Sequence, residues 1–287
     1  MNSLNSISGR TKVFGVIGWP ISHTFSPKMH NPTFKQTNTD AIYVPFLVNP
    51  DHLESAIKGL KALNVAGFNI TVPHKTTVLP YLDEIHETAL SIGAVNTVVN
   101  KENRLIGYNT DGDGFVLAYK EETNHSFNAT KCVLIGAGGS AKSIAYSLAK
   151  QKVASITIIN RTLSTATKLA QDINAYTKSD IAHAMGLDAP HLQQILETSS
   201  IVIQTTSVGL NSDQSPLNNF DWVTPQHSCI DIIYSPNKTS FLVACAEKGA
   251  FILNGLAMLA GQGIIAFELF TGHRPDYKSF KKELNNE

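Results

Sequence analysis

Cysteine is scarce in this chain, and neither sign of charge prevails. Its three cysteines, Cys132, Cys229 and Cys245, are spread over 287 residues. Their number is odd and their spacings are wide, which fits neither a disulfide framework nor a zinc site, and free thiols imply a reducing compartment. Lysine and arginine number 23, matching 23 aspartates and glutamates. That balance removes the net field that would attract nucleic acid or an anionic membrane surface. No apolar run approaches the roughly 20 residues that span a bilayer. The stretch from Met1 to Lys12 is polar and lacks the apolar core of a signal peptide. Internal repeats and low-complexity tracts are also missing. His23, His30 and His74 show no metal-ligand spacing, so no metal is expected. His74, beside Lys75, points to the opposite side of an extended chain and reads as structural. The expectation is a cytoplasmic protein, monomer or homodimer, whose partner is a small molecule rather than nucleic acid or membrane.

What is present is an ordinary globular composition, 43% hydrophobic and 16% charged. The length suggests two domains, each with its own core. Strands and helices alternate almost throughout, the pattern of an α/β protein with a largely parallel sheet. Val13 to Ile17 reads as a strand, and Ser26-Pro27 as a helix N-cap followed by a first-turn proline. Pro32 should shorten or kink that helix. Leu53, Ala56, Ile57, Leu60 and Leu63 follow helical spacing, and Gly67 ends the segment before a strand over Phe68 to Val72. Segments 94–99 and 104–108 flank Lys101-Glu102-Asn103 as a hairpin. From about Thr130 a second unit begins, with strands at 132–135, 155–159, 201–203 and 230–232. A long helix follows over Gly255 to Phe270, with Leu256, Leu259 and Phe267 on its apolar face. The domain change is placed near Gly112 to Glu121, with a return to the first domain near Gly255.

Val133-Leu134-Ile135-Gly136-Ala137-Gly138-Gly139-Ser140-Ala141 is a strand, a glycine turn and a helix start, the G-x-G-x-x-A form of a dinucleotide fingerprint. Gly136 permits the tight turn, Gly138 lets backbone approach a pyrophosphate, and Ala141 lets helix and strand pack closely. Amides and the helix dipole then attract phosphate. The next strand ends in Asn160-Arg161-Thr162, where an NAD site ordinarily carries an acidic residue; an arginine there suits a 2′-phosphate. NADP is therefore the expected cofactor.

Four polar clusters lie upstream: His23 to Pro27, Asn69 to Lys75, Gly93 to Thr97 and Asn109 to Asp111. Lys75 follows an apolar, β-branched run that stops at Pro73, so it sits at an element end, where working side chains concentrate. Taken singly, Ser26 caps a helix, Asn96 satisfies a turn, Asp111 caps the next helix and a lone lysine is solvated. Together, small hydroxyls, amides and a Lys/Asp pair suit a polyhydroxylated anionic substrate.

Through these motifs, and through Val16 to Ile21, Thr205 to Gly209, Asp231 to Tyr234 and Gly255 to Gln262, the whole chain resembles the shikimate dehydrogenase family. The resemblance implies an α/β substrate-binding domain over residues 1–112, completed by 255–287, and a Rossmann-type NADP-binding domain over 113–254, with a cleft between them. It implies reversible, NADPH-dependent reduction of 3-dehydroshikimate, with Lys75 and Asp111 as the catalytic pair. Thr24 and Ser26 would hold the substrate carboxylate, and Thr71, Asn96, Tyr234 and Gln262 the ring hydroxyls. Gly136, Ala137, Gly138, Gly139, Ser140, Asn160, Arg161, Thr162, Thr206, Ile232 and Gly255 would line the cofactor, with Glu87 near the nicotinamide. Thr24 stands where the family usually has serine, and Thr165 where some relatives carry a second basic residue, a role Lys168 would take over. Two alternatives follow: a quinate/shikimate dehydrogenase with relaxed cofactor use, and a non-catalytic sensor of a nucleotide and a cyclic acid.

Overall fold

The alternating elements build two six-stranded sheets, one in each of two units. A computed structural model describes residues 7–285. Residues 1–6 of the polar start lie outside the described residues. Unit 1 takes the chain up to Gly114 and again from Ala260; unit 2 runs from Phe115 to Leu259.

Unit 1 begins with β1 (Lys12–Gly18), α1 (Ser26–Gln36), β2 (Ala41–Leu47), α2 (Leu53–Ala62) and β3 (Gly67–Ile70). It continues through β4 (Glu84–Ile85), α3 (Glu87–Ile92), β5 (Thr97–Lys101) and β6 (Arg104–Tyr108) to α4 (Asp111–Thr123), which crosses into unit 2. The sheet order is β2-β1-β3-β5-β6-β4, with β5 antiparallel to both neighbours and the other pairs parallel. The β5–β6 hairpin turns on Glu102 and Asn103, both at positive φ, which matches the right-handed twist of the flanking strands. Leu53, Ile57 and Leu60 of α2 are buried in a core with Ile17, Phe68, Val98 and Leu105. Each such side chain contributes roughly 1.5–3 kcal/mol by leaving water.

Unit 2 holds β7 (Lys131–Ile135), α5 (Gly139–Lys150), β8 (Ser155–Ile159), α6 (Leu163–Thr177) and β9 (Ala182–Met185). After these come α7 (Leu192–Glu197), β10 (Ile201–Gln204), β11 (Ser228–Asp231), α8 (Ser240–Glu247) and β12 (Phe251–Leu253). Helix α9 (Gly255–Thr271) leads back into unit 1, which α10 (Tyr277–Asn285) completes. All strand pairs are parallel, in the order β12-β11-β10-β7-β8-β9. This is the doubly wound dinucleotide-binding order, and it reverses direction at β7 and β10, where such sheets bind ligands beyond their strand ends.

Several local expectations change. Ser26 is the first residue of α1 rather than its cap; Phe25 holds the cap position and no side chain caps it. Pro32 does not end α1, which runs on to Gln36. Strand β3 stops at Ile70, leaving Thr71 and Val72 in a turn, and Leu63 lies beyond α2 with 78% of its surface exposed. On α9 the fully buried side chains include Ala257, Ala260, Ile264, Ala266 and Phe267, whereas Leu256 and Leu259 are only partly buried. Periodicity alone could not rank faces on a helix that is apolar nearly all round.

Candidate active site

Lys75 is held in place from both sides. The His74 amide donates to the Thr71 carbonyl (3.0 Å), closing a turn directly after β3. The His74 ring is buried, with Nε2 2.8 Å from the Val48 carbonyl, which accounts for that histidine structurally. The Lys75 carbonyl accepts from the Val95 amide (2.8 Å). So anchored, Lys75 donates from Nζ to Asp111 Oδ2 at 2.6 Å. The Asp111 side chain is 9% exposed and that of Lys75 29%, so the carboxylate is enclosed while the ammonium still reaches solvent.

Asp111 opens α4, where the helix dipole favours an anion. Its other oxygen, Oδ1, accepts from Asn96 Nδ2 at 2.7 Å. Asn96 Oδ1 in turn accepts from the Thr110 amide (2.8 Å) and from the Thr97 hydroxyl (3.0 Å). Asn69 Nδ2 donates to Thr97 Oγ1 (3.0 Å) and to the Asn96 carbonyl (3.1 Å). Tyr43 donates its phenol proton to Asn69 Oδ1 at 2.7 Å. All of these groups except Lys75 are buried. Asn69, Thr97 and Thr110 lie within the polar clusters legible in sequence, but Tyr43 does not. Within the strand Ala41–Leu47 it looks like any core aromatic.

The remaining expected residues of unit 1 fall into four places. Thr24 donates to Ser26 Oγ (3.3 Å) and accepts from the Ser26 amide (3.3 Å), so the two hydroxyls adjoin at the start of α1. Thr71 packs against Gly18, where an added Cβ would overlap its methyl group. Gln262 on α9 lies against α4 at Gly114, and a Cβ on either Gly114 or Gly261 would collide with the other helix's backbone. Glycine is thus required at that crossing, one turn beyond Asp111. Glu87 also belongs to unit 1, exposed in the first turn of α3.

In unit 2, Gly136 follows β7 with φ +111°, a conformation that L side chains rarely adopt, and its amide donates to Ile159 O at 2.7 Å. Ala137 is buried behind the turn, and Ser140 lies in the first turn of α5. Gly138 and Gly139 are exposed at the start of α5, and a Cβ added to either would meet nothing within 4 Å. That bare backbone at a helix N-terminus fits a pyrophosphate. Asn160 Nδ2 donates to the Thr162 carbonyl (2.9 Å), bracing the turn that exposes Arg161. Lys168 is drawn instead to Asp172, 2.7 Å away on α6. Thr206 is set by the buried Gln204, whose Oε1 accepts from the Thr206 amide at 2.6 Å; sequence reading missed that brace.

Ile232 and Tyr234 follow β11, and Gly255 abuts the Ile232 carbonyl so closely that a Cβ there would collide with it. Asp231, fully buried, ties this segment by accepting from Thr239 Oγ1 (2.6 Å) and the Ile233 amide (2.9 Å). Burial pushes its carboxyl up to about 6, against the lowering effect of those two bonds. Burial also raises the Tyr234 phenol.

Both halves of this description find counterparts among known proteins. Residues 16–98 match the family described as shikimate dehydrogenase substrate binding domain, 118–212 that described as shikimate/quinate 5-dehydrogenase, and 255–284 the shikimate 5′-dehydrogenase C-terminal domain. The chain is 44% identical to a shikimate dehydrogenase (NADP(+)) of Desulforamulus reducens, over 93% of this chain and 92% of that one. A crystal structure of a shikimate dehydrogenase in complex with NADP+ is similar at TM-score 0.89 and 37% identity, covering 98% of this chain and 97% of that one. The shikimate 5-dehydrogenase of Listeria monocytogenes, in complex with shikimate and NAD, is similar at TM-score 0.90 and 35% identity, covering 97% and 98%. With the doubly wound sheet, the glycine turn and the Lys75–Asp111 pair already in place, likeness along nearly the whole length leads to one conclusion: the chain belongs to the shikimate dehydrogenase family.

Proposed function

We propose that this protein is an NADP-dependent shikimate dehydrogenase, which reversibly reduces 3-dehydroshikimate to shikimate in the biosynthesis of chorismate and the aromatic amino acids. The observation that carries the reading is the Lys75–Asp111 pair at 2.6 Å, one member enclosed and the other open to a ligand. A sensor that merely binds a nucleotide and a cyclic acid has no need of such a pair. Most of the substrate-binding residues fall within 1–112 and 255–287, and most of the cofactor-binding residues within 113–254. The cytoplasm is the expected compartment; among the described residues no helix is long and apolar enough to cross a membrane.

When bound, NADPH supplies a hydride to the carbonyl carbon of the substrate. The electron pair of the C=O bond moves to oxygen, and Lys75 donates a proton from Nζ to it, giving the alcohol. In the oxidative direction the Lys75 amine accepts that proton. Asp111 keeps Lys75 aimed, and Asn96 keeps Asp111 from turning. Thr24 and Ser26 donate to the carboxylate; Thr71, Asn96, Tyr234 and Gln262 bind ring hydroxyls. The turn at Gly136, whose own amide is taken by the Ile159 carbonyl, would bring the amides of Ala137, Gly138, Gly139 and Ser140 to the pyrophosphate, and Asn160, Arg161 and Thr162 would hold the adenosine 2′-phosphate, for which the guanidinium fork of Arg161 is suited. Thr206, Ile232 and Gly255 would line the nicotinamide side, and Glu87 is the further residue that the family resemblance assigns to the nicotinamide.

The test is to mix the protein with NADPH and 3-dehydroshikimate and follow loss of reduced-nicotinamide absorbance. Turnover supports the assignment. Binding of both molecules without turnover overturns it in favour of the sensor. Repeating the assay with quinate and with NAD defines how strict the enzyme is.

A further inference from the structure

The hydrogen bonds around Asn69 have a fixed polarity. The Asn96 carbonyl can only accept, so the amide of Asn69 must turn its Nδ2 toward it and its Oδ1 toward Tyr43. Tyr43 therefore donates. At the other end, the Thr110 amide can only donate, so Asn96 presents Oδ1 to it and Nδ2 to Asp111. Donors thus point one way through Tyr43, Asn69, Thr97 and Asn96 until they reach the Asp111 carboxylate, which also receives Lys75.

Tyr43 is itself fixed on several sides. The His30 ring stacks on it at 4.3 Å and 7°. Asn31 clamps its backbone, donating to the Tyr43 carbonyl (2.9 Å) and accepting from its amide (2.8 Å). Burial raises its phenol, and the Ser26 side chain nearby opposes that shift.

We infer that Tyr43 is a positioning residue: through Asn69, Thr97 and Asn96 it sets the orientation of Asp111 and hence of Lys75. The inference rests on the proposed dehydrogenase reading for its kinetic readout. Removing the phenol oxygen leaves Asn69 Oδ1 buried without its donor. The amide is then free to rotate, and the order of the chain toward Asp111 is lost.

The experiment is a double-mutant cycle on kcat for shikimate oxidation, using Tyr43→Phe and Asn96→Ala. Tyr43→Phe keeps the ring that stacks on His30. It is expected to lower kcat about tenfold, with the KM for NADP unchanged, as expected for a lost buried hydrogen bond. In the Asn96→Ala background, where the path is already cut, the same change should cost less than about twofold. An equal loss in both backgrounds, or an unchanged kcat, overturns the inference. Thr97→Val, isosteric and lacking the relaying hydroxyl, carries the same cycle if Tyr43→Phe does not fold.

A readout independent of turnover separates failure of this inference from failure of the functional reading. The isotope-labelled methyl resonance of dimethylated Lys75, assigned by its absence in Lys75→Arg, should shift in Tyr43→Phe. An unmoved resonance overturns the inference even if the parent enzyme turns over. A shifted resonance in a protein inactive on shikimate supports it while the substrate assignment falls.

Discussion

In unit 1 the candidate chemistry rests on side chains held by other side chains, whereas in unit 2 it rests on backbone left bare. Lys75, Asp111, Asn96, Thr97 and Asn69 form one connected network, and deleting any polar atom leaves a neighbour wanting a partner. At Gly136 to Gly139 there is almost nothing to delete, and the informative change is to add a methyl group. The difference suits the ligand proposed for each unit. A polyol carboxylate needs many directional contacts, whereas a pyrophosphate needs several N–H groups and room to approach.

The largest expected effect tests the side-chain half of that contrast. Lys75→Ala should lower turnover by about 10²–10⁴-fold while leaving NADPH affinity nearly intact, as read by steady-state kinetics and by fluorescence titration with NADPH. Near-normal turnover would remove Lys75 from proton transfer.

The backbone half is tested by two glycines that should behave differently. At Gly136, with φ +111°, an alanine Cβ would lie 2.5 Å from Thr205 Oγ1, so Gly136→Ala should destabilise the protein by about 1–3 kcal/mol as well as weaken NADPH binding. Gly138→Ala adds its methyl to open space and should weaken NADPH binding with little change in thermal midpoint. If both variants lose stability equally, the bare backbone at Gly138 has a folding role after all.

Acid should also act on the units with opposite sign. His30, buried against Tyr43, Phe34, Phe267, Phe270 and Phe280, has its pKa pushed down from 6.5 to about 3 by desolvation. The stability tied to its neutral form is complete above pH 6.5 and is lost as pH falls toward 3, because the unfolded chain takes up a proton that the native state refuses. From pH 7 to pH 5 this amounts to about 2 kcal/mol. Asp231 is raised from 3.8 to about 6, so the native state takes up the proton first, and stability rises as pH falls from 6 toward 3.8. Chemical denaturation at both pH values should find His30→Leu less acid-sensitive than the parent and Asp231→Asn more so. Unchanged sensitivity in both would remove these groups from the acid response.

Smaller effects concern selectivity. Arg161→Ala should weaken NADPH binding by about tenfold and leave NADH binding unchanged, the scale of one charge-assisted contact. The smallest change is expected from Thr24→Ser, which keeps the hydroxyl and removes one methyl group. It should shift the ratio of shikimate to quinate rates by no more than a methyl's worth, within about tenfold. An unchanged ratio would show that the methyl does not set selectivity.

Some features needed no tertiary structure to be seen. The strand, glycine turn and helix around Gly136, the hairpin at Glu102-Asn103 and the polar clusters ending in Lys75 and Asp111 are all local in sequence. Backbone conformation there is dictated by residues a few positions apart: glycine where φ is positive, proline after a strand, β-branched runs between turns. The face buried by α9 and the end of β3 were not legible. An almost wholly apolar helix carries no direction of its own, and the Thr71–His74 turn competes with extending the strand.

The sequence by itself therefore determined an α/β chain with a dinucleotide turn and a lysine and an aspartate available for proton chemistry. Only the tertiary structure decided that Lys75 meets Asp111 across 36 positions, that Asn96 reaches Asp111 across 15, and that Tyr43 stands at the head of their network through Asn69, 26 residues away. Those pairings depend on strand order and register, with β3 beside β1 on one edge and β5 on the other. Sheet pairing is set by which apolar faces are buried together, and local propensity does not determine it.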